Sequence, residues 1–388
     1  MIKNIKKKKK IKILRIIQTL DKEYGGISNY ILDNSVALAG CGFEVDILTY
    51  DNKKSYLYKK KVKVINKGPG YGNFTFSLNL LFWLIKNKKK YDLFIIEGIW
   101  HFSTLIARFF LKNRYFVFLH GSLQAYFQTE FFKCLKKKIY WALIEKKNLL
   151  NSKSILLTNS IEKNQLKKTY VNTSNIKKNI VGIGISSPKF NKKIALDKFY
   201  KKFPQLKNKN FLLFLGRFHQ KKGCDTLIEA LKKISRKKIK VNILMAGPEN
   251  EYKKIMKKFS QINGLDNNIF WSDTLDGDLK WGAIVASQGM VLPSNGENFG
   301  IALAESLSCS RPVLTTYKVN IYKEIIENRA GLISQNNTNS FANILLKFNK
   351  FNKQKIKKYS ENSLKCFNDN FNIDYKINDF AKLLKKSI

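Results

Sequence analysis

The sequence predicts an α/β protein made of two parallel-sheet domains in tandem, and three observations carry that expectation. Short β-branched or apolar runs alternate with longer amphipathic stretches along the chain, as strands and helices do in parallel sheets. Runs such as LFIIE (residues 93–97) and YFVFL (residues 115–119) are apolar almost throughout, as strands covered on both faces are. The chain has 388 residues, and at about 150 residues per domain that favours two domains over one.

In chain order, the first-half strands are expected at Lys12–Gln18, Glu44–Thr49, Val62–Ile65, Leu93–Ile96, Phe116–Leu119, Ser154–Leu157 and Asn179–Val181. Helices such as Ile27–Ala39, Phe74–Lys86 and Phe102–Leu111 lie between them. Around Lys192–Asn210 the sequence turns polar and lysine-rich, and a second set of strands follows: Phe211–Leu215, Val241–Ala246, Ile269–Trp271, Gly289–Leu292 and Pro312–Thr315. The helices of this half are expected at Gly223–Ile234, Tyr252–Ile262, Leu279–Val285, Phe299–Ser308 and Tyr322–Asn328, and the tail Lys353–Ile388 reads as two more. The expected domains are residues 1–205 and 206–370, with a C-terminal helix, 371–388, packing back on the first. Such a tandem is a Rossmann-like pair with a cleft between the halves, and its ligands bind beyond the carboxyl ends of the strands.

Composition narrows the classes. Apolar residues make up 44% and aromatics 13%, enough for sizeable cores and unlike a disordered chain. No apolar run reaches the roughly 18 residues of a spanning helix, which excludes a polytopic membrane protein. The lysine run at residues 6–10 precedes only a short apolar stretch, Ile11–Ile17, so no secretion signal is expected. The five cysteines, Cys41, Cys134, Cys224, Cys309 and Cys366, form no CxxC pair and suit a reducing cytoplasm. With three histidines and no HExxH, no protein-built zinc site is expected.

The net charge of +44 would draw any polyanion. Only seven of the 72 cationic residues are arginine, however, and asparagine and isoleucine abound while proline is scarce. That pattern also fits a genome rich in A and T, and the lysines are spread along the whole chain rather than gathered in one nucleic-acid-reading module.

Three loops after strand ends could carry chemistry. Tyr24-Gly25-Gly26-Ile27-Ser28 follows the first strand; it is either a tight turn that brings a helix N-terminus to an anion or an ordinary strand–helix turn. Gly216-Arg217-Phe218-His219-Gln220-Lys221-Lys222-Gly223 follows Phe211–Leu215, and a guanidinium with an ammonium there suits a diphosphate. His219 reads as a loop residue and His101 as structural. In Pro293–Glu305, Glu297 precedes a helix expected from near Asn298, and Glu305 lies two turns inside it. The two carboxylates either accept hydrogen bonds from polyol hydroxyls or are a cap-region acid and a surface acid.

These residues together resemble the retaining glycosyltransferases of family 4, which have the GT-B fold. The resemblance runs from about Ile11 to Phe380. It rests on the two glutamates of Glu297–Glu305 with Asn298-Phe299-Gly300, on Gly216-Arg217 with Lys222-Gly223, on Gly247-Pro248 and on Gly25-Gly26. It is nearest to members with His120-Gly121-Ser122-Leu123, Gly277–Trp281 and Val319–Tyr322, which act in surface or exopolysaccharide assembly. It implies transfer of a hexosyl unit, with retention, from a UDP- or GDP-linked sugar to a glycan or lipid-diphosphate-linked acceptor, with no metal or other cofactor. Arg217 and Lys222 would neutralise the diphosphate, Glu297 would hold donor-sugar hydroxyls with backbone amides of Asn298–Gly300, and Glu305 would hold the ribose. His120 would approach the sugar, while Gly25, Gly26, Gly216 and Gly247 would let backbone approach the ligand. The chain departs from the family where Gly182-Ile183-Gly184-Ile185 replaces an Asn-Gly pair, and where Asp273 replaces a glycine in the loop expected to face the base.

Two basic amphipathic stretches in the first half, Phe131–Trp141 and Leu78–Ile85 flanked by Lys86–Lys90, add an anionic membrane surface as an expected partner, or are core stripes with a solvated lysine face. A cytoplasmic protein, peripheral on the inner face of the plasma membrane, is expected, with no specific nucleic acid. The competing readings are a non-catalytic polyanion-binding protein and a GT-B sugar-nucleotide epimerase.

Overall fold

A computed structural model describes residues 10–21, 26–52, 61–123, 131–167 and 172–388. The chain divides into two compact units, residues 1–184 with 373–388, and residues 185–372.

The strands of the first unit are β1 (Lys12–Ile17), β2 (Glu44–Thr49), β3 (Lys63–Asn66), β4 (Leu93–Glu97), β5 (Tyr115–Phe118), β6 (Ser154–Leu157) and β7 (Lys178–Ile180). They form one parallel sheet in the order β3-β2-β1-β4-β5-β6-β7. Its helices are α1 (Gly26–Gly40), α2 (Leu78–Asn87), α3 (Phe102–Phe110), α4 (Phe131–Tyr140), α5 (Lys146–Leu150) and α6 (Ser160–Leu166). Side chains alternate across each strand, so Leu14, Ile16, Phe94, Ile96 and Val117 share one core with Leu80 and Leu84 of α2, Ile106 of α3, Trp141 and Leu149. The alternate positions, Arg15 and Glu97 among them, point to the other face, where Asn34 and Ser35 of α1 meet Arg15. Helix α2 starts at Leu78 rather than Phe74, because the Ser77 hydroxyl caps the Leu80 amide and Phe76 is bridged to Tyr71.

The second unit alternates α7 (Lys192–Lys202), β8 (Phe211–Leu215), α8 (Cys224–Ser235), β9 (Asn242–Ala246), α9 (Glu251–Ile262), β10 (Ile269–Ser272) and α10 (Gly277–Ala286). It continues with β11 (Gly289–Leu292), α11 (Ile301–Ser308), β12 (Val313–Thr316), α12 (Tyr322–Glu327), β13 (Gly331–Ser334), α13 (Thr338–Asn349) and α14 (Lys353–Asn370). Its sheet is parallel, in the order β10-β9-β8-β11-β12-β13. The last helix, α15 (Ile373–Lys385), belongs to the first unit and packs against α1.

The division at residue 184 corrects the boundary expected at 205. The polar, lysine-rich stretch 192–202 is not a linker but helix α7, capped by the Asn191 side chain. Its Ala195 and Phe199 are buried where it packs on α10, and Phe199 stacks on Phe211 of β8. No described helix is long and apolar enough to cross a membrane.

Between α4 and α5 the helix winds through one π-turn, Trp141–Glu145. Glu145 is fully buried there, and its carboxylate accepts from Thr104 Oγ1 at 3.2 Å and Asn148 Nδ2 at 3.5 Å. No described cation pairs with it. Burial pushes the carboxyl up to about 7, against the pull of those donors. The folded state therefore keeps a proton that the unfolded chain, titrating near 4.5, has already lost. This group's contribution to stability falls as pH rises from that value to about 7 and is level above it. Glu145→Gln should remove this fall and be more stable than the parent at pH 8 by up to about 3 kcal/mol. Urea unfolding of both proteins from pH 5 to 8 measures it, and a constant difference across that range would contradict the assignment.

Candidate active site

In an open parallel sheet, ligands bind beyond the carboxyl ends where the strand order reverses, because the loops on either side diverge there. In the second sheet that point lies between β8 and β11. The loops leaving these two strands carry Arg217, Lys221 and Lys222 on one side and Glu297 on the other.

The two loops are stitched together by backbone. Gly223 has φ +69°, and a Cβ on it would stand 2.0 Å from the Pro293 carbonyl oxygen, so only glycine lets the loops meet this closely. The Lys221 carbonyl accepts from the Asn295 amide and the Ser294 hydroxyl, both at 2.8 Å, and the Gln220 carbonyl accepts from Asn295 Nδ2 at 3.0 Å. Glu297 is held from its other side: its amide donates to the Lys318 carbonyl and its carbonyl accepts from the Asn320 amide, both at 2.9 Å. Between them lies a bridge to Val319.

This frame sets the Lys222 ammonium against the Glu297 carboxylate. Burial by itself would push that carboxyl up; Lys222, then Lys221 and Arg217, outweigh it and hold the group below the usual carboxylate range. His219 is held low by burial and by the same three cations, so its ring is neutral at pH 7, with Nδ1 accepting from the Lys221 amide at 3.0 Å. Three cations around one carboxylate make a place where an anion can compete for Lys222 and where Glu297 can accept from hydroxyls.

Asn298, Phe299 and Gly300 lie in the loop rather than in the helix, because α11 begins at Ile301 with Gly300 as its cap. The expected helix start near Asn298 is therefore corrected, and Glu305 sits nearer the helix N-terminus than two full turns. Phe299 is buried edge-on against Phe371, and the Asn298 side chain meets Asn320. Glu305 Oε1 lies 2.5 Å from Lys280 Nζ of α10. Gly216 and Gly247 lie against each other: a Cβ on Gly247 would stand 2.0 Å from the Gly216 carbonyl oxygen.

In the first unit the strand order reverses between β1 and β4. Gly25 lies outside the described residues, and Gly26 opens α1. His120, just past β5, has the left-handed φ of +48°, an uncommon conformation for a residue other than glycine. Its ring stacks on Phe118 at 4.1 Å, and its Nε2 lies 2.7 Å from Glu97 Oε2. Nδ1 is buried without a hydrogen-bond partner among the described residues. Glu97 in turn accepts from Arg15 Nε at 2.7 Å, and Arg15 reaches Asn34 Oδ1 at 2.6 Å. Burial would raise the Glu97 carboxyl, but Arg15 and His120 hold it low. Glu162, buried at the start of α6, accepts from the Gly121 amide at 2.8 Å and fixes the turn after His120.

Arg15, Glu97 and Glu162 were not among the residues the sequence singled out. The signal for the first two was present: a rare arginine inside an apolar strand and an acid at the end of another. Lys280 and the buried Lys253 carried no such signal, because lysine is everywhere in this chain. His101 stands just before α3, where its ring makes no capping hydrogen bond but shares one of 2.6 Å with Gln18.

Residues 197–365 match the family described as glycosyl transferases group 1, a stretch that lies within the second unit. An uncharacterized glycosyltransferase of Methanocaldococcus jannaschii is 29% identical over 164 residues, 42% of this chain and 44% of that protein. O-antigen chain mannosyltransferase C of Escherichia coli is 28% identical over 179 residues, 45% of this chain and 46% of that protein. The chain thus spans about half the length of the curated relatives it matches. Among solved structures, Anabaena Alr3699/HepE in complex with UDP-glucose superposes with a TM-score of 0.77 at 14% identity. That superposition covers 97% of this chain and 100% of the other. The fold is GT-B, two parallel-sheet α/β units in one chain.

Removing one member of a buried ion pair strands the other. Glu97→Ala should therefore cost about 3–5 kcal/mol in urea unfolding, whereas Arg15→Met combined with Glu97→Leu should restore a large part of it. A loss below about 1 kcal/mol in the single variant would show that Arg15 does not depend on Glu97 for its burial.

Proposed function

We propose that the protein is a glycosyltransferase. It moves a hexosyl unit from a nucleoside-diphosphate sugar to a glycan or lipid-linked glycan acceptor, with retention of anomeric configuration, in surface-polysaccharide biosynthesis. The observation that carries the reading is the Lys222–Glu297 pair, with Arg217 and Lys221, at the reversal point of the second sheet. The family match over residues 197–365 and the curated relatives support it.

The donor diphosphate lies against Arg217 and Lys222, which stabilise the charge that develops as the bond between the sugar C1 and the phosphate oxygen breaks. Taking up the diphosphate draws Lys222 from Glu297, whose carboxylate then accepts from sugar hydroxyls. The acceptor oxygen bonds to C1 on the face the phosphate leaves, and its proton goes to the departing phosphate oxygen. Glu305 holds the ribose by accepting from its hydroxyls. The charge is met by side chains, so this reading requires no metal ion.

The acceptor side of the reading includes an anionic membrane, at which a cytoplasmic enzyme meets a lipid-linked acceptor. Leu135, Ile139 and Leu143 recur every four residues along α4 and the π-turn and are all exposed, Leu143 by 63%. Leu78, Phe82 and Ile85 form a second exposed row on α2, which shares the same face of the first sheet. Lys86, Lys88, Lys89 and Lys90 follow that row, while Lys137, Lys138, Lys146 and Lys147 accompany the first. Apolar rows among lysines match an anionic lipid surface.

Transfer assays with UDP- and GDP-linked hexoses and a lipid-linked acceptor test the catalytic reading. Lys222→Ala and Glu297→Ala should each lower the rate by roughly 10²–10³-fold with an unfolding midpoint close to the parent's, and EDTA should leave the parent rate unchanged. Binding to nucleic acid with no response to any nucleotide sugar would instead favour the polyanion-binding reading. Flotation with anionic liposomes tests the membrane part. The protein should float at low salt, and replacing Ile139 and Leu143 together with serine should return it to the soluble fraction. A parent that never floats removes the membrane from the reading.

A further inference from the structure

We infer that Asp273 reads the base of the donor nucleotide and selects guanine over uracil and adenine. The inference rests on the donor site proposed above and names the nucleotide that site takes.

Geometry places the base. The Lys280 ammonium, 2.5 Å from Glu305 Oε1, joins the first turns of α10 to α11, so the carboxylate proposed for the ribose lies beside the loop that links β10 to α10. A base joined to that ribose, with its diphosphate at Arg217 and Lys222, extends across the carboxyl ends of β9 and β10. Adjacent strands lie about 4.8 Å apart, so the end of β10 stands roughly 10 Å from the end of β8, the direction in which a nucleotide runs from diphosphate to base.

Asp273 is the first residue past β10, and its carboxylate is fixed. Oδ1 lies 3.0 Å from Lys253 Nζ. Lys253 is fully buried, and its ammonium also donates to the Gly247 carbonyl at 3.1 Å and the Ser272 carbonyl at 3.0 Å, pairs with Glu249 at 2.8 Å and lies over the Phe218 ring. One buried cation thus ties the end of β9 to the end of β10 and holds Asp273 by a single oxygen. The rest of the carboxylate faces outward; the side chain is 77% exposed. Lys253 also keeps the group ionised, below the ordinary aspartate range.

An ionised carboxylate only accepts hydrogen bonds. Guanine presents two adjacent donors, N1–H and the N2 amino group, which a carboxylate can take together. Uracil presents one N–H flanked by two carbonyls that a carboxylate repels, and adenine presents its amino group beside a bare ring nitrogen. Among the common bases guanine is the complement of Asp273.

Calorimetric titration of the full chain with GDP, IDP, UDP and ADP tests this, because IDP is GDP without the N2 amino group. GDP should bind tightest, roughly tenfold or more ahead of IDP and UDP. Asp273→Asn keeps an oxygen for Lys253 while replacing the charge with an amide. It should weaken GDP by roughly tenfold or more and leave UDP nearly unchanged. UDP binding as tightly as GDP, or a preference for GDP that survives in Asp273→Asn, overturns the assignment to Asp273 while leaving the donor site standing. No diphosphate binding to either protein overturns the donor site, and this assignment with it.

Discussion

The candidate site depends first on a backbone contact. Gly223 lies so close to the Pro293 carbonyl that no side chain fits between them, and the loops after β8 and β11 are then laced by hydrogen bonds from Ser294 and Asn295. Once the loops are joined, the positions of Lys222 and Glu297 follow, because each side chain leaves a main chain that is already fixed. The sheet supplies the reason the loops can carry ligand groups at all: strand order reverses between β8 and β11, so the helices after them turn to opposite sides and open a crevice.

Both units also place buried charge at the carboxyl ends of their strands and balance it there. Arg15 meets Glu97, which also meets His120; Lys253 meets two carbonyls and two carboxylates. Burial of an ion is costly unless its hydrogen-bonding capacity is met, and each of these groups sits where free backbone carbonyls or an opposite charge can meet it. Glu145 shows the other outcome. Its neighbours are neutral donors, so the cost of burial appears as a carboxyl titrating near neutrality. The same physics gives fixed ions where partners are charged or carbonyls are free and a titrating acid where the partners are neutral donors.

The central strands could be read from the sequence because their apolar runs, such as LFIIE of β4 and YFVF of β5, are buried on both faces and interrupted by turns. The loops of the candidate site were legible where a residue was rare for this chain or chemically singular, as with Arg217, Glu297 and the adjoining glycines. Helix α7 was missed because its buried face is only Ala195 and Phe199, too little apolar signal in a lysine-rich stretch. Strand β13 was missed because GLIS is short, at the sheet edge, with only Leu332 and Ser334 buried. The start of α2 was misplaced because Phe74 and Phe76 look like the helix's apolar face but pack on Phe102 from the preceding turn. The ion pairs join residues 75 and 82 positions apart in sequence, and no local pattern signals such contacts.

The lysine surplus explains which residues in this chain are informative. With 72 basic residues against 28 acidic ones, a lysine beside any given feature is expected by composition, whereas an acid is not. The glutamates that are buried or half-buried include Glu97 at the end of β4, Glu162 just past β6, Glu297 in the loop after β11, Glu305 in α11, and Glu145. All but Glu145 select a cation or a backbone amide from many that could have served: Glu97 fixes Arg15, Glu297 fixes Lys222, Glu305 fixes Lys280, and Glu162 fixes the Gly121 amide. In so cationic a protein, specificity of position comes from the scarce partner. The net charge itself says little about the site, because a solvated lysine is screened by salt within about 10 Å, whereas a lysine held by a partly buried carboxylate keeps its geometry.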